Sequence, residues 1–277
     1  MNGTRGARSP EGTASGGPDS PCSECLLVAE GLSKTFGGLA AVKKVSFTVQ
    51  RGAIKAIIGP NGAGKTTLYD LLTGIYKPDG GNVYFEDHAI LGLPPHRISA
   101  LGIARTFQTV RIFPRMTVQE NVMVGLHHRT SSGMAGCSLR LPRAKREEAW
   151  IAEEAMRYLD LVGLEMQAES AAGSLPYGQQ RLLELARALA TDPKLLLLDE
   201  PASGLNAYET RELGELIYRV RDMGITVLLV EHDMGLVMRI SEEVLVLDYG
   251  EVIAEGTPEE VRNDPRVIEA YLGSALE

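Results

Sequence analysis

Gly59-Pro60-Asn61-Gly62-Ala63-Gly64-Lys65-Thr66-Thr67 follows a strand-like run, Ile54 to Ile58, and leads into a helix-like one, Leu68 to Leu72. From Gly59 through Thr66 the stretch fits the pattern G-x-x-x-x-G-K-[ST]. Glycines let successive backbone N–H groups curl around a phosphate with no Cβ in the way, and the helix that follows offers its positive N-terminus to the same anion. Lys65 is placed to reach the β- and γ-phosphates of a nucleotide as a point charge, and the Thr66 hydroxyl to take a position on Mg²⁺. Thr67 lies beside them. An ordinary glycine-rich turn needs neither the strand before it nor the helix after it, so nucleotide binding is the working premise.

The chain around this cradle has 277 residues and 44% hydrophobic content, enough for a sizeable core in one large domain or two lobes. A net charge of −8 argues against a nucleic-acid protein, whose usual footprint is a basic stripe. No run approaches the roughly 18 apolar residues of a membrane span, and the first residues lack the charged-then-apolar order of a signal peptide, so a soluble cytosolic chain is expected. Cys22-Ser23-Glu24-Cys25 is a lone C-x-x-C without a second ligand pair, which predicts neither a zinc nor a redox site. Residues 1–24, rich in Gly, Ser and Pro, predict a disordered leader.

Two short apolar runs, Leu26 to Ala29 and Val45 to Val49, predict an antiparallel edge, with Lys34-Thr35-Phe36 between them. Val83 to Phe85 predicts a further strand, and Ile103 to Gln108 a short strand ending in an amide. His127 to Arg146 reads as a polar insertion carrying Arg129, Arg140, Arg143, Lys145 and Arg146, a solvated face, before an amphipathic helix around Trp150 to Leu161. Leu175-Pro176-Tyr177-Gly178-Gln179 precedes a helix with apolar positions Leu182, Leu185, Ala186 and Leu189, so a second anion site at that N-terminus is physically reasonable. Leu195 to Leu198 is a continuous apolar run, as in a parallel strand covered on both faces, and it delivers Asp199 and Glu200 at its carboxyl end, where such sheets bind ligands. Ile225 to Val230 ends likewise in Glu231-His232-Asp233, and Val244 to Gly256 reads as a hairpin before a C-terminal helix.

These motifs, in this order, resemble the ATP-binding subunits of ABC transporters, from about Leu26 to the C-terminus. Arg105-Thr106-Phe107-Gln108, Ile112-Phe113-Pro114, Tyr177-Gly178-Gln179-Gln180-Arg181 and Val267 to Gly273 are similar to the subfamily that serves branched-chain amino acid importers. The resemblance implies an α/β P-loop NTPase fold: an ABC ATPase core with an antiparallel β edge over residues 25–277, and an inserted helical subdomain at about 99–171. It implies that Phe36 stacks on adenine and that residues 59–67 hold the phosphates. Gln108 would sense Mg²⁺ and water, and Thr66, Gln108 and Asp199 would form the metal side. Glu200 would be the general base and His232 the γ-phosphate contact.

Two such subunits pair head to tail, so Leu175, Pro176, Tyr177, Gly178 and Gln179 would cover ATP held by the partner. Pro176 stands where a serine is common, and proline offers neither hydroxyl nor N–H, a loss of about 1.5–3 kcal/mol if that bond were charge-assisted. Asn206 replaces a frequent aspartate. The implied partners are membrane permease subunits, a second ATP-binding subunit (the same chain or a paralogue) and, indirectly, a solute-binding protein. The implied place is the cytoplasmic face of the membrane. The alternatives are an importer for another small polar solute, and a non-transport ABC ATPase acting on nucleic acid or ribosomes. Proteins of the latter kind usually carry two cassettes or a long coiled coil.

Overall fold

The computed structural model describes residues 24–127 and 142–273. Residues 1–23 of the expected leader, Cys22 among them, and His128, Arg129 and Arg140 lie outside them. In chain order, β1 (Cys25–Phe36), β2 (Leu39–Gln50) and β3 (Ile54–Ile58) lead into α1 (Lys65–Leu72), followed by β4 (Gly80–Phe85), β5 (His88–Ala89), α2 (Pro95–Ala100) and β6 (Ile103–Arg105). Helices α3 (Val118–Leu126), α4 (Pro142–Val162) and α5 (Tyr177–Leu189) precede β7 (Leu195–Asp199), α6 (Ala207–Asp222), β8 (Thr226–Val230) and α7 (Met234–Ile240). The chain closes with β9 (Glu243–Asp248), β10 (Glu251–Gly256), α8 (Pro258–Arg262) and α9 (Pro265–Gly273).

Six strands form the central sheet in the order β10-β9-β3-β8-β7-β6, parallel except for the antiparallel edge strand β10. Every residue of β3, β7 and β8 is buried, as the continuous apolar runs predict for strands covered on both faces. Successive side chains alternate between two cores: Ile54, Ala56, Leu196 and Leu198 face one, and Ile57, Leu195 and Leu197 the other. The second core also holds Leu68, Tyr69, Leu71 and Leu72, so the helix after the glycine loop is packed between sheets. Each of its buried leucines contributes about 1.5–3 kcal/mol of apolar burial, which fixes the helix start relative to the strand ends.

The antiparallel edge is present and reaches further than the short apolar runs suggest: it is a sheet of its own, order β2-β1-β4-β5, with β1 and β2 each running for 12 residues to meet at Gly37 and Gly38. Lys34 to Phe36 therefore lies within β1. Both turn glycines have positive φ (52° and 90°), which lets so short a connection reverse the chain. The helical subdomain expected from residue 99 starts later. Ile103 to Arg105 pairs in parallel with Leu195 to Leu197 and belongs to the central sheet. The packed helices beyond it are α3, α4 and α5, which share a core through Val118, Val122, Ile151, Ala155, Leu159 and Leu183 and continue past Ala171. A capping box between Thr117 and Glu120 opens α3.

Lys55, fully buried in β3, donates to the Thr48 carbonyl (2.7 Å), to Glu243 (2.8 Å) and to Glu255, tying β2, β9 and β10 to the middle of the sheet. Among the described residues no helix is long and apolar enough to cross a membrane.

Candidate functional site

Close backbone packing shapes the loop between β3 and α1. A Cβ at Gly59 would collide with the Leu247 carbonyl oxygen, and one at Gly64 with that of Ala41, both at positive φ. Gly250 N–H donates to the Ala63 carbonyl (3.0 Å) and Lys43 N–H to that of Gly250 (2.8 Å), so β2 and the β9–β10 turn clamp the loop from two sides. In front of it opens a cleft of about 410 Å³ lined by Asn61 to Thr67, Leu39 to Ala41, Lys43, Gln108, Glu200 and Tyr249. The Lys65 ammonium is folded back on the loop, donating to the carbonyls of Gly59 (2.6 Å) and Pro60 (3.0 Å). Burial pushes its pKa down, against the pull of Glu200 and Asp199.

The carboxyl end of β7 supplies the acids. Glu200 sits just beyond the strand at φ 46°, an unusual conformation for a non-glycine residue, held by its N–H on the Val230 carbonyl (2.9 Å). Its Oε2 accepts from the Gln108 side-chain amide (2.8 Å), and His232 Nδ1 stands 3.8 Å away. Glu200, Gln108, Lys65 and His232 are thus gathered at one edge of the sheet. Asp199 is 2% exposed and takes a 2.9 Å bond from Arg105, whose other nitrogen reaches Asp70 at 2.6 Å. Burial raises the Asp199 pKa; Arg105 opposes it.

Phe36 lies apart from the lining of this cleft, at the end of β1, with its ring edge-on to Tyr76 at 5.1 Å. The pentapeptide at the start of α5 is also elsewhere. Leu175 is buried, Pro176 occupies the cap position without a side-chain cap, and Tyr177 is 45% exposed with its ring against Gly204. Gly178 lies so close to Glu209 that a Cβ there would come within 2.8 Å of its Oε1. None of the five lines the cleft.

The model of the ABC transporter family matches residues 42–203, and that of the branched-chain amino acid ATP-binding cassette transporters matches residues 251–277. The chain belongs to the ABC transporter ATP-binding family. It is 47% identical over 254 residues, 91% of this chain and all of the relative, to the high-affinity branched-chain amino acid transport ATP-binding protein LivG of Salmonella typhimurium. The ADP conformation of MJ1267, an ATP-binding cassette of an ABC transporter, superposes with a TM-score of 0.77 at 34% identity, covering 90% of this chain and 99% of that one. The dimeric post-hydrolysis state of the cassette MJ0796, bound to ADP and phosphate, superposes with a TM-score of 0.71 at 26% identity, covering 84% and 98%.

In this ATP-binding cassette several polar residues matter that the motif reading did not single out. Arg105 was visible only as part of a motif. Its two carboxylate partners, with Tyr69 and Phe107 flanking its guanidinium at 5.6 and 5.2 Å, appear only in three dimensions. Glu231 is fully buried and accepts from the N–H groups of Ala202 (2.7 Å), His232 (3.0 Å) and Asp233 (3.2 Å), setting the loop that presents His232. Burial raises its pKa despite these bonds. Its place beside His232 after an apolar strand was the available signal. Tyr249, at φ 44° in the β9–β10 turn, borders the cleft.

Proposed function

We propose that this chain is the ATP-hydrolysing subunit of an importer for branched-chain or related amino acids, acting on the cytoplasmic face of a membrane through separate permease subunits. The observation that carries the enzymatic part is the Gln108–Glu200 bond of 2.8 Å at the mouth of the glycine-loop cleft. The cargo is supported by the relative's 47% identity along nearly the whole chain and by the subfamily match at residues 251–277.

The loop N–H groups and the N-terminus of α1 receive the β- and γ-phosphates, which take over the Lys65 ammonium from the carbonyls of Gly59 and Pro60. Phe36 stacks on the adenine from the end of its hairpin. Glu200 takes the proton of the attacking water, Gln108 holds both water and carboxylate in line, and His232 contacts the γ-phosphate. Thr66, Gln108 and Asp199 offer a hydroxyl, an amide oxygen and a carboxylate, hard oxygen donors that suit Mg²⁺. That Gln108 donates to Glu200 through its nitrogen leaves its oxygen available for this role. Mg²⁺, when bound, neutralises charge on the phosphate oxygens.

A second ATP-binding subunit completes the site with its residues 175–179. Pro176 donates nothing, so the first-turn N–H groups of Tyr177, Gly178 and Gln179, which have no intrahelical acceptor, make the contact.

The test is Glu200→Gln. Hydrolysis should fall about 10²- to 10⁴-fold with ATP still bound, and unchanged turnover would remove Glu200 from its role. Purification of the tagged chain from solubilised membranes should bring down two multi-spanning proteins. Ribosomal or nucleic-acid partners in their place would overturn the transport reading.

A further inference from the structure

Arg181 stands in the first turns of α5, two residues beyond the pentapeptide, and is 7% exposed. Among the described residues it has no carboxylate in ion-pair range; its partners are backbone carbonyls. It donates to Phe107 (3.2 Å) and Gln108 (2.7 Å), and at 3.5 Å it faces that of Ser203, while its guanidinium carbon lies 5.5 Å from the Tyr177 ring centroid. A buried cation is costly unless its protons are satisfied, and because the buried Nε has no partner among the described residues, the terminal nitrogens depend on these carbonyls.

The two segments it grips flank the catalytic acid. Gln108 reaches Glu200 through its side chain, and Ser203 N–H donates to the Glu200 carbonyl (3.1 Å). On the other side, Tyr177 packs against Gly204, the residue after Ser203. One side chain therefore joins the start of α5 to both supports of Glu200.

We propose that Arg181 is a positioning residue for hydrolysis, coupling the α5 N-terminus, which engages the partner's nucleotide, to the carboxylate that acts on the chain's own nucleotide. The proposal rests on the roles given above to Glu200, Gln108 and residues 175–179. It makes the two nucleotide sites of a dimer sense each other through Arg181, with no contact between Arg181 and ATP.

The experiment is a double-mutant cycle in the full-length chain, with Arg181→Met and Gln108→Ala singly and together, reading ATP affinity, kcat, the Hill coefficient and the melting temperature. Arg181→Met should lower kcat about ten-fold, keep ATP affinity within about two-fold and bring the Hill coefficient toward one. In the Gln108→Ala background the same change should cost little more, because the lever it moves is gone. Arg181→Lys keeps the charge but cannot span both carbonyls, and should fall between wild type and Met; it carries the test if the Met variant does not fold. Additive losses, or affinity and melting temperature falling with kcat while the Hill coefficient holds, would overturn the proposal. A Glu200→Gln variant with unchanged turnover would instead strike the reading of the site itself.

Discussion

Two helix N-termini carry the proposed phosphate contacts, and they differ in what surrounds them. At α1 the chain brings its own complement: Lys65, Gln108 and Glu200 line one cleft, with His232 beside Glu200. At α5 the cap is Pro176, the first turn contains no acid, and the next residue, Tyr177, is half-exposed. The first is a site with its chemistry attached. The second is a face with hydrogen-bond donors and no reacting group of its own, which suits the proposed contact with a nucleotide held by a second subunit.

The strongest way to break this comparison is to remove the charge complement on the α1 side. Arg105→Met leaves Asp199 buried and unpaired, with Asp70 also deprived of its partner. Breaking a buried pair in this way costs about 3–5 kcal/mol, to be read by urea unfolding of the nucleotide-free chain. A loss below 1 kcal/mol would mean that the pair does not organise the site. Arg181, whose partners are carbonyls, should cost less stability on truncation.

Next in size is the loop itself. Gly59→Ala forces a Cβ against the Leu247 carbonyl at φ 149°. Backbone strain of about 1–3 kcal/mol corresponds to roughly 5- to 150-fold in affinity, measured by titration with ATP. Gly178→Ala is the matched change at α5, where the added Cβ meets side-chain atoms alone, the Glu209 carboxylate at 2.8 Å and Leu205 Cδ2 at 3.4 Å, and no backbone. It should leave ATP affinity of the single chain unaltered and lower hydrolysis by the dimer. Equal losses of affinity from both variants would erase the distinction between the two helix ends.

The same contrast explains what the sequence disclosed. The glycine loop was legible because its chemistry is local: strand, glycines, lysine and helix are contiguous, and the fold only has to close β2 and the β9–β10 turn over it. Asp199 and Glu200 were legible because a fully apolar strand announces both a buried position and a carboxyl end. Arg105 and Arg181 were not, since each acts on residues far away in the chain: Asp70 and Asp199 for one, Phe107, Gln108 and Ser203 for the other. The full extent of the antiparallel sheet was hidden for a related reason. Polar residues Lys43 and Lys44 interrupt the apolar pattern of β2 and form a bulge, flanked by the pairs of Val42 with Lys34 and Val45 with Leu32 that carry the strand past them. Ile103 to Arg105 was legible as a short strand, but its partner, Leu195 to Leu197, and so its place in the central sheet, was not.

The smallest effect concerns Asn206, the N-cap of α6. Its side chain accepts from the N–H groups of Tyr208 (2.9 Å) and Glu209 (3.0 Å), and Glu209 returns a bond to the Asn206 N–H (2.9 Å), a capping box that starts α6. Asparagine and aspartate cap helices about equally, so Asn206→Asp should leave stability nearly unchanged, whereas Asn206→Ala should cost about 1 kcal/mol. Because Glu209 also touches the Gly178 position, the cap lies between α6 and the α5 face. If the residue serves only the cap, Asn206→Asp will also leave dimer hydrolysis unchanged. A change in hydrolysis without a change in stability would show that Asn206 belongs to the face that meets the second subunit, and would move one residue from the self-contained half of the molecule to the half that waits for a partner.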